Sequence, residues 1–113
     1  MPGVVVVYHT KTKHVACFDG LCSATLLWTE FGYDAEYIPA YYGSEVALTR
    51  FVDKRVYFAD FAYPIEVMDK IAAVSNFLLV FDSTLDESIQ RPYLTRNNEA
   101  SASILVWRYL KGS

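Results

Sequence analysis

A chain of 113 residues with 53% apolar and 20% charged side chains has the length of one domain and the composition of a packed core. Its net charge of −3 excludes a broad phosphate-neutralising surface, so no long nucleic acid is an expected partner, while a small anion in a local pocket stays compatible. Apolar runs such as VVVV are far shorter than the roughly 20 residues that span a bilayer, so no membrane partner is expected.

The first residues, MPGVVVVYHT, lack a basic leader and a cleavage site, and Cys17 and Cys22 make no disulfide framework. A reducing cytoplasm is the expected compartment. The run VVVVYH (4–9) is β-branched throughout, the pattern of a strand covered on both faces. Residues 19–32 predict a helix with Leu21, Ala24, Leu27, Trp28 and Phe31 facing inward and Gly32 as its stop. AEYIPAYYGS (35–44) predicts a short strand cut by Pro39 and then a loop, and RVYFAD (55–60) a third strand.

Residues 63–75 predict a helix with Pro64 in its first turn and Ile65, Met68, Ile71 and Ala72 turned inward. NFLLVFD (76–82) reads as a fourth strand, 86–96 as loop with at most a turn of helix, and 98–112 as a last amphipathic helix. Strands alternating with helices predict a single-domain α/β fold with a mostly parallel sheet flanked by helices.

The predicted strands end alike: Tyr8 into His9, Ala59 into Asp60, Phe81 into Asp82. In a parallel sheet such ends share the carboxyl edge, where open α/β folds hold their ligands. Asp19, at the first strand-to-helix junction, should reach the same crevice. One imidazole and several carboxylates suit Mn²⁺ or Mg²⁺ better than a thiolate metal. Such a cluster can polarise a phosphoryl oxygen and acidify a bound water. The plainer reading is that these residues cap the turns and helices that follow them.

Other constellations are weaker. His9, His14, Cys17 and Cys22 match no common structural zinc spacing. FDSTLD is similar to the aspartyl-nucleophile loop of haloacid-dehalogenase-like phosphatases, but Thr84 stands where that loop needs its second acid. Neither G-x-G-x-x-G nor a P-loop is present. AEYIPAYYGS and YFADFAYP could stack bases, yet the acidic balance favours core and subunit packing.

The order VVYH…CFDGLCSATLLW, AEYIPAYYG, VYFADFAYP, LLVFDSTLDE and NNEASASILVWRYL resembles the DHH phosphoesterase superfamily, in particular its short oligoribonuclease-like bacterial and phage branch. That resemblance implies a parallel α/β domain that binds two Mn²⁺ ions and hydrolyses phosphodiester or pyrophosphate bonds in short oligonucleotides, cyclic dinucleotides and related small phosphoesters. It implies metal ligation by His9, Asp19, Asp60 and Asp82, with Asp60 and Asp82 catalytic, and substrate contacts from Ser83, Thr84 and Asn98.

The sequence departs from the family at Ser83 and Thr84, which occupy the two histidine positions of the Asp-His-His signature, and at Ala16. It also stops after the last helix, so the C-terminal substrate-binding domain is expected to be absent. Hydroxyls bind divalent metals far more weakly than imidazole, so at least one metal position should be impaired. The expectation is a degenerate member, phage-encoded, that binds a nucleotide or other small phosphoester with weak or no hydrolysis. The alternatives are an interaction protein that engages a host protein, with homodimer formation through its aromatic surface, and an active Mn²⁺-dependent phosphodiesterase.

Overall fold

The computed structural model describes residues 3–11, 18–41, 43–44, 47–81, 88–95 and 102–111, with Phe18, Asp19, Tyr33, Ala102 and Ser103 described by their backbone alone. The chain runs β1 (Val4–His9), α1 (Phe18–Phe31), β2 (Ala35–Ala40), β3 (Arg55–Ala59), α2 (Ile65–Val74), β4 (Phe77–Phe81), β5 (Leu94–Thr95) and α3 (Ala102–Lys111). Short 3-10 turns lie at Gly32–Asp34 and Leu48–Phe51.

The β-branched runs pair as one all-parallel sheet in the order β2-β1-β3-β4-β5. That is a doubly wound order, with the chain reversing its direction of progress across the sheet between β1 and β3. Strand alternation then sends side chains to two separate cores. Val5, Val7, Val56, Phe58 and Val80 pack beneath α2 with Met68 and Ile71, which are fully buried. Val6, Tyr57, Ala59 and Phe81 pack on the opposite face with Leu27, Leu105 and Val106 of α1 and α3. Three helices thus cover both faces, the predicted α/β layering.

Four local expectations need correction. Leu21 and Trp28 were expected to face inward, but they are 50% and 43% exposed. The stripe of α1 against the sheet is Gly20, Ser23, Ala24 and Leu27, at helical spacing and mostly small, which lets the helix sit close to β1. Leu21 and Trp28 lie on its flank beside Tyr8 and Tyr37, over edge strand β2.

Pro39 does not cut its strand. Thr10 N–H donates to the Ala40 carbonyl at 2.7 Å, so the even residues of β2 bond to β1 and the odd ones turn their backbone to the free edge. A residue with no N–H is tolerated there, and it blunts pairing with another strand.

The third expected strand stops at Ala59, because Asp60 adopts φ +62°, outside any strand conformation. Finally, part of the expected 86–96 loop is β5, which pairs in parallel with β4 through Val80–Leu94 and Phe81–Thr95. A two-residue strand has no periodicity to read; it is fixed from outside by a three-residue clamp. Arg91 donates from Nε and Nη2 to the two carboxylate oxygens of Asp69 on α2, at 2.9 and 3.1 Å, and the Tyr93 hydroxyl donates to Asp69 Oδ1 at 2.8 Å.

Those hydrogen bonds, Arg91 first and Tyr93 second, hold the Asp69 carboxyl below its ordinary range. A folded-state pKa that is depressed stabilises above the unfolded value and is lost as pH falls through the folded one. The melting temperature of the parent should therefore exceed that of Asp69→Asn at neutral pH. The gap should close as pH drops below the ordinary carboxylate range. The pair is solvent-exposed, so the effect is small, and parallel melting curves across an acid titration decide it. A gap independent of pH would rule the clamp out as its source.

Candidate functional site at the carboxyl edge

Register brings the strand ends together. Tyr8 is paired with Ala59, and Ala59 with Phe81, so the residues that follow them lie side by side at one edge of the sheet. His9 ends β1, and Asp60 follows β3 directly. These are the two strands between which the strand order reverses, the position where doubly wound sheets open a crevice.

Alternation puts His9 on the Val5–Val7 face, toward α2. There its ring stacks on Phe61, with centroids 5.9 Å apart and planes 24° apart. Phe61 is itself buried and held by Phe58 and, edge to face, by Tyr63 at 4.9 Å. The imidazole is therefore braced on a rigid aromatic stack. Asp60 completes the pair: His9 Nδ1 lies 3.3 Å from Asp60 Oδ2, and both side chains are largely covered.

The backbone of Asp60 is fixed as well. Its N–H donates to the Phe81 carbonyl at 2.8 Å, and its left-handed φ swings the chain so that Phe61 falls onto His9. Non-glycine residues rarely take that conformation; aspartate and asparagine do so at least cost. A strained strand-end acid is the kind of feature that a functional constraint maintains.

On the other face, the start of α1 presses against β1. A Cβ at Gly20 would stand 2.2 Å from the His9 carbonyl oxygen and 3.1 Å from His9 Cβ. Only glycine allows that approach. It brings the backbone at Gly20 against His9; the side chain of its neighbour Asp19 is not among those described. Asp82, Ser83, Thr84 and Asn98 all lie outside the described residues, as do His14 and Cys17 of the zinc constellation. Cys22 sits half-covered on α1 as a free thiol.

The pair has two chemical uses. With Nδ1 turned to a carboxylate, an imidazole has its tautomer and orientation set and acts through Nε2. Alternatively, both residues contribute donors to one cation. Neighbouring donors around an octahedral ion with bonds of about 2.1 Å lie roughly 3.0 Å apart, close to the 3.3 Å observed. The donor set is hard, nitrogen and oxygen, and fits Mn²⁺ or Mg²⁺. Among the described residues no group of three or more His, Cys, Asp or Glu side chains gathers, so His9 and Asp60 would supply two ligands of such a site at most.

Sequence reasoning missed Phe61, the residue that positions the imidazole. The available signal was its place directly after a strand-end acid, where an aromatic side chain must pack back onto the edge. Among the described residues no helix is long and apolar enough to cross a membrane. Comparison with protein-family models, with curated proteins and with solved structures finds no match to this chain.

Proposed function

We propose that this is a DHH-phosphoesterase-like protein that binds a nucleotide or other small phosphoester at the carboxyl edge between β1 and β3, with weak or no metal-dependent hydrolysis. The observation that carries it is the His9–Asp60 contact at the point where the strand order reverses. The order of motifs along the sequence supports the same reading. In it, Mn²⁺ or Mg²⁺ is held by His9 and Asp60 together with Asp19 and Asp82. Asp60 and Asp82 would be its catalytic acids, and Ser83, Thr84 and Asn98 would contribute to ligand binding.

A bound divalent ion would supply polarisation of the phosphoryl oxygen and a more acidic water. Hydrolysis is slow in this reading because serine and threonine stand where two imidazoles would complete the metal clamp. The protein acts in a reducing cytoplasm, in keeping with a half-covered free thiol at Cys22.

Calorimetric titration with mono-, di- and cyclic nucleotides, with Mn²⁺ and then with chelator, tests the proposal. Binding of at least one member should weaken at least tenfold on chelation and be lost in His9→Ala. Absence of heat with every member, with or without Mn²⁺, would overturn it.

A second reading has its own observation. The helices α1 and α3 pack side by side and expose Leu21, Trp28, Ile104 and Trp107. Such apolar surface fits an interaction protein whose partner is a host protein or a second copy in a homodimer. It predicts a stoichiometric complex in sedimentation that is indifferent to chelator and is disrupted by Trp107→Glu.

A further inference from the structure

A cleft of about 550 Å³ opens beside the His9–Asp60 pair, between the 3-10 turn Leu48–Phe51 and α2. Its volume falls within the range of about 300–1,000 Å³ that small-molecule sites occupy. Phe61 and Tyr63 lie at its back and are almost wholly covered, whereas Leu48, Pro64, Val67 and Lys70 form its open part. Ser44, from the segment after β2, and Tyr63, from the segment after β3, both line the cleft.

We infer that this cleft receives the planar base of a nucleotide whose phosphoester lies at His9 and Asp60. The inference rests on the phosphoester reading above and adds the class of group that the protein selects. Phe61 lines the cleft and also stacks on His9, with centroids 5.9 Å apart, so the cleft and the pair share one ring as their common wall. A ligand anchored by its phosphate at the pair would have to carry its ring past Phe61 into the cleft.

The walls offer a ring apolar contact on both sides, from Leu48 and from Pro64 with Val67. Stacking and burial of this kind tolerate any base, because every base presents a π-face. Lys70 is the cation among the lining residues and is exposed. The exposure of Leu48, otherwise an apolar side chain left in water, is explained by the ring it would cover.

Adenosine 5′-monophosphate and ribose 5-phosphate carry the same phosphoester and differ by the base. With Mn²⁺ present, the parent should bind the nucleotide at least tenfold more tightly, as measured by calorimetry. Val67→Trp, which fills the cleft from a half-covered position on α2, should bring the two ligands within about twofold of each other while ribose 5-phosphate binds unchanged. Leu48→Ser, at an exposed position with little hold on folding, should cut the preference at least threefold. Equal binding of the two ligands by the parent, or a preference that survives both substitutions, overturns the assignment of the cleft and leaves the phosphoester site standing. If neither ligand binds, the phosphoester reading falls and the cleft assignment falls with it.

Discussion

Asp60→Asn should fold as the parent does and lose ligand binding, whereas Asp60→Ala should lose both binding and stability. The difference lies in the backbone. Asp60 has φ +62°, a conformation that costs an ordinary L-residue about 1–2 kcal/mol and costs asparagine and aspartate less. Asparagine keeps a side-chain oxygen facing His9 Nδ1 and keeps the tolerance for that backbone, but it carries no charge for a cation. Alanine removes both. Adding a lost hydrogen bond of about 1 kcal/mol to the conformational cost gives roughly 2–3 kcal/mol. For a domain of this length that is a fall in melting temperature of roughly 10–20 °C.

Asp60→Gly separates the two contributions, since glycine takes positive φ freely and brings no carboxylate. It should recover most of the stability that alanine loses and none of the binding, with affinity for a Mn²⁺-dependent ligand at least a hundredfold below the parent. Thermal melts and calorimetry on the same three variants read the two effects independently. A melting temperature for Asp60→Ala equal to that of Asp60→Asn would mean that the left-handed turn is not under strain. Parent-like binding by Asp60→Ala would remove Asp60 from the site.

Much of this arrangement was legible in the sequence, and what was not has physical causes. The β-branched runs and the helical periodicity are local signals, so the α/β layering and the strand end at His9 could be read directly, and the end of β3 to within one residue. Their side-by-side placement needed a parallel sheet with aligned ends, and the alternation of strands and helices supplied that. The inward face of α1 was misread because Leu21–Ala24–Trp28 and Ala24–Leu27–Phe31 are both acceptable helical stripes. Only the position of β1 at the penultimate place in the sheet decides which stripe meets strands and which hangs over the edge. β5 depends on Asp69, which lies 22 residues before its partner Arg91, a contact that no local pattern encodes. Phe61 was passed over for the same reason: its importance comes from stacking on a ring that is fifty-two positions earlier in the chain.

Gly20→Ala tests the other side of the site. In most helices this change stabilises, because glycine is worse than alanine by roughly 1 kcal/mol. Here the added Cβ would stand 2.2 Å from the His9 carbonyl oxygen and 3.0 Å from its carbon, both backbone atoms that no rotamer change can move aside. The start of α1 must retreat by about 1 Å to reach ordinary contact, and that retreat loosens Leu27 from the core it shares with Val6. Overpacking of this sort costs about 1–3 kcal/mol and more when backbone must shift. It outweighs the gain in propensity, so a net loss of about 2 kcal/mol and a drop of roughly 10 °C in melting temperature are expected. Because the same retreat draws the backbone of Asp19 away from His9, binding of a Mn²⁺-dependent ligand should weaken at least tenfold at temperatures where the variant is fully folded. A raised melting temperature would show that α1 is free to slide along β1, and unchanged affinity would show that Asp19 takes no part in the site.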